Sequence, residues 1–198
     1  MSHLKKFLFA FAFLIGSAAV TAPAAVAQGS NVIAIDEVKI IRDSKAGKDM
    51  ATKLNNIQKQ MNDELNPDRT SLETDGKALE TKLAGKTAEQ VNADPTLVTA
   101  YNAYQVKAKT LAAKAQKYSQ DFTLTERVAY ANFNKALEPV LLQVIQEKNA
   151  QLVVSKSAVV YSADSIDVTA EVIQKLDAAS PTLAVTRQKM PEQPANPQ

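Results

Sequence analysis

The sequence predicts an α+β chain, mostly helical, in which a long antiparallel coiled-coil hairpin arm projects from a small β body with short helices. Three observations predict this class. Apolar residues recur at gaps of three and four along two long stretches, one on each side of a connector containing Gly85, Asn92, Asp94 and Pro95. Short β-branched runs stand only before and after those stretches. The chain of 198 residues has no cysteine, so its fold is held by packing without disulfides.

Residues 1–27 have the three parts of a cleavable signal peptide: Lys5 and Lys6, an apolar run from Phe7 to Val20, and small residues ending at Ala27. The run is shorter than the roughly 20 residues a membrane-spanning helix needs. Removing it takes two lysines from the 23 basic residues and none of the 21 acidic ones, leaving a formally neutral mature chain. No bulk attraction to nucleic acid follows.

Residues 28–47 are expected to enter the body. "NVIAID" reads as a strand, Val32 to Ile35, ending at Asp36, a good helix N-cap, and a short helix follows that Gly47 ends or bends. Residues 48–138 form the arm. Its outgoing stripe is Met50, Leu54, Ile57, Met61, Leu65, Leu72, Leu79 and Leu83, interrupted by the expected hinge residues Pro67 and Gly76. The tip lies near 84–95. The returning stripe is Leu97, Tyr101, Tyr104, Ala108, Leu111, Ala115, Tyr118 and Phe122, a heptad seam that continues less strictly past Ala129 and Phe133 to Pro139. Neither stripe can hide alone in water, so the helices fold back on one another, with arms on the order of 50 to 60 Å long at 1.5 Å per residue.

Residues 139–179 complete the body with two expected strands, Leu152 to Val154 and Val159 to Tyr161. A last helix, capped by Asp167 or Thr169, presents Val168, Val172 and Leu176 on one face. Residues 180–198, with four prolines, read as a disordered tail. Three short strands cannot close a core alone, so Val32, Ile33, Ile35, Leu152, Val154, Val159, Tyr161, Val168, Val172 and Leu176 are expected to meet other copies of the chain.

The residues carry little enzyme chemistry. The single histidine, His3, leaves with the signal, which removes imidazole bases, Ser-His-Asp triads and His metal clusters. "AGKD" and "GKT" lack the glycine five residues upstream that a phosphate loop needs: Arg42 and Glu80 stand there. The carboxylates fall mostly on polar helical faces. No catalytic, cofactor or metal residue is expected, and the chain reads as a non-enzyme.

"VIAIDEVKIIRDSKAGK" near the start and "AQLVVSKSAVVYSADSIDVTAEVIQKL" near the end resemble the two signature segments of the Skp/OmpH periplasmic chaperones. The resemblance spans about Val32 to Leu176. It implies a periplasmic homotrimer, with strands of three chains forming a β-barrel body and helical arms enclosing a cavity. Unfolded outer-membrane β-barrel proteins would be held there without ATP and kept from aggregating. The balanced charge departs from the strongly basic character of the best-known member.

Against that frame, Lys107, Lys109, Lys114 and Lys117 form a basic strip on the returning helix, opposite an acidic outgoing helix. The strip either pairs across the hairpin, the favoured reading, or attracts acidic clients, anionic lipid or lipopolysaccharide. Tyr101, Tyr104, Tyr118 and Phe122 are read as seam residues, with contact to client segments as the alternative. A structural coiled-coil adaptor binding a folded envelope protein is the rival to the chaperone, because both need the same helices.

Overall fold

The structure is a computed structural model and describes residues 31–191; the signal expected at 1–27 and residues 192–198 lie outside the described residues. In chain order the elements are β1 (Val32–Ile35), α1 (Glu37–Asp43), α2 (Lys45–Leu83), α3 (Ala88–Asn92), α4 (Pro95–Glu147), β2 (Leu152–Ser155) and α5 (Thr169–Ala179). Two 3₁₀ turns, Lys156–Ala158 and Asp164–Ile166, lie between β2 and α5.

Polar caps set where α1 to α4 begin, whereas α5 starts after Val168 with no side-chain cap, not at a cap by Asp167 or Thr169 as expected. The Asp36 carboxylate accepts from the Lys39 N–H at 2.8 Å and starts α1. Ser44 ends α1 and starts α2, its Oγ accepting from the Gly47 N–H. Gly47 therefore lies inside the first turn of α2 rather than ending α1. A Cβ there would stand 1.7 Å from the Ile41 carbonyl oxygen, so only glycine lets the two helices meet this closely. At the far end Thr87 and Gln90 form a capping box on α3, and Asp94 caps α4 with Pro95 in the first turn.

α2 continues through Pro67 and Gly76, and α4 through Pro139, so each is one helix from body to tip. Contacts between them run in opposite senses: Tyr118 to Glu64, Lys114 to Asp68, Lys107 to Asp75. The pair is antiparallel. With 53 residues, α4 is about 80 Å long, because it passes the arm and forms part of the body as well. α4 closes at Asn149, whose positive φ of 49° is tolerated by an Asx side chain, and the chain turns directly into β2.

β1 and β2 pair in parallel, Val32 opposite Leu152 and Ile35 opposite Ser155, with the whole hairpin as the crossover. The other edge of β1 receives the Val168 N–H at the Ala34 carbonyl, beside a bridge to Asp167. This replaces the third strand expected at Val159 to Tyr161. That segment is irregular, with Val159 half-buried and Tyr161 exposed, and among the described residues no strand pairs with the outer edge of β2.

The core joins body to arm root. Ile33, Ile35, Ile40, Met50, Phe133 and Leu176 lie in one buried cluster with Val140, Val144, Val168 and Val172. Burying each large side chain contributes on the order of 1.5 to 3 kcal/mol.

The tail is the largest departure from expectation. Residues 181–191 lie along the arm in an irregular course and Leu183 joins the core, so the segment read as disordered from 180 is docked as far as the structure describes it. The many prolines that suggested disorder flank the docked stretch rather than interrupt it.

Candidate functional site

Three surfaces are built by these elements: an apolar face on the body, the seam of the arm, and the groove that holds the tail. Among the described residues no group of three or more His, Asp or Glu side chains could hold a metal ion, and no helix is long and apolar enough to cross a membrane.

On the body, β2 pairs on one edge only, and the segment after it leaves large apolar side chains in water. Leu152 is 53% exposed and Tyr161 83%, with Val160 fully exposed beside it. Ile33, Ile35, Val168, Val172 and Leu176 face the interior, while Val32 and Val154 are half-buried. The residues expected to meet other copies thus divide into those that close the core within one chain and those, Leu152 and Tyr161, that the chain does not cover. Below this face the Asp167 carboxylate accepts from Lys156 Nζ and the Thr169 N–H. Partial burial alone would raise its pKa, but those donors outweigh it and hold the group at about 2.

Along the arm, Leu54, Ile57, Met61 and Leu65 are buried and Leu72 is half-buried. Beyond Leu65 the buried apolar residues thin to Leu79 and Leu97. Polar pairs take over there. Lys107 donates to Asp75 and Ser71, and Lys114 donates to Asp68 at 2.7 Å, an interaction that raises the lysine's pKa. Lys109 is exposed, and Lys117 is half-buried beside Tyr118 and Asp121. Two of the four lysines thus cross the hairpin to acidic partners.

The aromatic stripe is equally divided. Tyr104 lies over Gly76, whose missing Cβ would stand 3.3 Å from the ring, so this glycine seats an aromatic ring within the helix. Tyr101 is exposed, Leu111 half-buried, and Phe122 packs on the core. An open groove of about 340 Å³ lies against Tyr104, Leu79 and Lys107. Tyr118 Oη donates to Glu64 at 2.6 Å while the Arg187 guanidinium sits 4.5 Å from its ring centre.

Arg187 belongs to the tail, and the tail's groove is the site the sequence reading missed. Asp121 and Thr125 are each only 1% exposed, although both are polar and stand on α4. Asp121 accepts from the Met190 N–H at 2.7 Å and Thr125 Oγ1 from the Gln188 N–H at 2.9 Å. Asn132 donates to the Ala184 carbonyl. From α2, Asp49 accepts the Leu183 N–H and Lys53 donates to the Leu183 carbonyl, while Glu64 takes both oxygens to Arg187. The Asp49 carboxyl is held below its usual range by the Leu183 N–H and then Lys53, and Glu64 likewise by Tyr118 and then Arg187. One signal was available: Asp121, Thr125, Ala129, Phe133 and Leu137 follow at gaps of four, which puts two polar residues in phase with the buried face.

The profile of the OmpH-like outer membrane protein family matches residues 31–176. Among solved structures, an OmpH-like protein of Caulobacter crescentus CB15, proposed to be an outer membrane chaperone, superposes with a TM-score of 0.70 at 26% identity. The match covers 83% of this chain and 94% of that one. No curated protein sequence matches the chain.

Proposed function

The chain belongs to the OmpH-like outer membrane protein family, and from that premise we propose that it is a periplasmic holding chaperone. It binds unfolded outer-membrane β-barrel proteins between helical arms, without ATP, and prevents their aggregation. The observation that carries this reading is the arm itself. Two helices of 39 and 53 residues project from a small body on a seam that keeps few buried apolar residues beyond Leu65. An arm of that kind bends and opens at low cost, which suits holding chains of different size rather than one rigid partner. The signal peptide expected at 1–27 supports export to the compartment such clients pass through.

The body supports a homotrimer. Leu152 on β2, whose outer edge is unpaired, and Val160 and Tyr161 in the segment that follows β2 are left in water by a single chain. Association of copies through this face closes the sheet and arranges the arms around a cavity. Anionic lipid is the weaker partner, since Lys107 and Lys114 are already engaged with Asp75 and Asp68.

The deciding experiment dilutes a urea-unfolded outer-membrane β-barrel protein into buffer containing the purified chain and no ATP, and follows light scattering. Suppressed scattering at stoichiometric trimer is expected. Continued aggregation at excess protein would overturn the proposal and favour an adaptor that binds a folded envelope protein. For assembly, a mass measurement at micromolar concentration is expected to give three chains, and Tyr161→Asp to shift it toward one while the helical circular dichroism stays.

A further inference from the structure

The tail's contacts have a pattern that a simple brace does not require. Most of the arm's polar side chains that hold it read its main chain: Asp49 and Lys53 take the N–H and carbonyl of Leu183, Asn132 the carbonyl of Ala184, Thr125 the N–H of Gln188, and Asp121 the N–H of Met190. Every polypeptide offers those groups. The tail's own side chains alternate: Leu183 buried, Val185 and Arg187 half-buried, Thr182, Ala184 and Thr186 exposed. From Thr182 to Thr186 apolar Leu183 and Val185 alternate with outward small or polar residues, the sequence character of an outer-membrane β-strand, and the pattern ends at Arg187 and Gln188, both half-buried. The fit is also incomplete, because the Nε of Arg187 is buried without a partner. Finally, the tail lies outside the family match, which ends at residue 176.

We propose that the groove between α2 and α4, lined by Asp49, Lys53, Asp121, Thr125 and Asn132, is a binding site for an extended, alternately apolar polypeptide segment. Residues 181–191 are its internal occupant in the free protein. A strand-like segment of an unfolded client exchanges with the tail, because it presents the same N–H and carbonyl groups to the same side chains and an apolar residue to the place of Leu183. Asp121 and Thr125 are nearly inaccessible while the tail is docked and are paired there with its Met190 and Gln188 N–H groups, so a segment that displaces the tail and again excludes water has to offer the same donors. This inference rests on the chaperone reading above and adds to it a defined site outside the cavity.

The test uses the full chain and an eight-stranded outer-membrane β-barrel protein diluted from urea. Amide exchange is followed at Leu183, Gln188 and Met190, whose N–H groups donate into the groove. They are expected to be protected in the free protein and to lose protection at least about tenfold at saturating client, while Ile35 and Val153 keep theirs. Unchanged protection at Gln188 and Met190 with the client held in solution would overturn the exchange and leave the chaperone reading standing. Aggregation of the client in the same sample would remove both. As an independent arm, Gln188→Pro with Met190→Pro deletes two tail donors without altering the helices, and several-fold tighter client capture is expected. Equal or weaker capture by that variant would show the tail to be a brace for the arm instead.

Discussion

The two halves of the arm are built from the same pair of helices and held by different physics. Near the body, Met50, Leu54, Ile57, Met61 and Leu65 of α2 are buried, with Ala129 and Phe133 of α4 equally so and the tail laid over Asp121 and Thr125. Toward the tip the buried apolar residues are Leu79 and Leu97, and the helices are joined through Lys107 to Asp75, Lys114 to Asp68, and a tyrosine seated on a glycine. Dry apolar contact contributes kilocalories per side chain, whereas exposed ion pairs contribute typically 0 to 1 kcal/mol. One continuous helix pair therefore carries a gradient of stability, firm at the root and yielding at the tip.

The sharpest way to break that comparison is to remove volume at the root. Phe133 is fully buried between body and arm, so Phe133→Ala should cost about 3 to 5 kcal/mol. The loss should appear in urea unfolding of the whole chain, followed by circular dichroism. Leu79→Ala in the distal half should cost about 2 kcal/mol, at the lower end for a buried leucine, because the thin seam collapses around the gap. Its effect should be local: faster exchange between about Asn66 and Ala115, with Val32 to Ile35 and Leu152 to Val154 unchanged. An equal global cost for the two substitutions would mean that the arm unfolds as one unit with the body.

Acid separates the tail from the body. Asp49 and Glu64 have depressed pKa values, so the stability they contribute is complete above the ordinary values of 3.8 and 4.5 and is lost as pH falls through their lowered ones. Lys53 faces Asp49; Arg187, Tyr118 and Lys114 face Glu64. In the body Asp167, held at about 2, keeps its ion pair with Lys156 further into acid. Lowering pH from 6 toward 3 should therefore reduce the protection factor at Leu183 before that at Val168 changes. Simultaneous loss would show that these carboxylates do not anchor the tail.

The root and the tip also differ in how much of them the sequence reveals. The arm was legible because long runs of apolar residues at gaps of three and four admit no other economical structure, and the Asp36 cap announces itself three residues from its donor. The signature segments at both ends carried the family. The groove showed only in the phase of Asp121 and Thr125 with the buried face, and their polarity ordinarily marks a solvated face instead. What buries them is a segment 63 to 69 residues further on, in a proline-flanked stretch whose composition argues for disorder. Val159 to Tyr161 failed for a related reason: β propensity describes a surface that needs covering, and within one chain nothing covers Tyr161. Gly76 was legible as a break in the stripe, but its partner Tyr104 was not.

That partner decides the smallest of the expected effects. Within an exposed helix, Gly→Ala is worth about 1 kcal/mol in favour of the folded state, since alanine loses less backbone freedom. Here the added methyl would meet the Tyr104 ring at 3.3 Å, tighter than ordinary contact. The ring is half-buried beside an open groove and can move by a few tenths of an ångström, so part of the gain should survive. Gly76→Ala is expected to stabilise the distal arm by less than about 1 kcal/mol. Pro67→Ala, which restores an N–H able to donate to the carbonyl of Asp63, should stabilise it more. Exchange between Asn66 and Ala115 should slow in both while the root is unaffected. If distal flexibility is what fits the arms to clients, the double substitution should weaken capture of a large β-barrel client more than that of a small one, with the solution mass of the assembly unchanged. Slower distal exchange with equal capture of both would place the adaptability of the protein at the tail and its groove rather than at the tip.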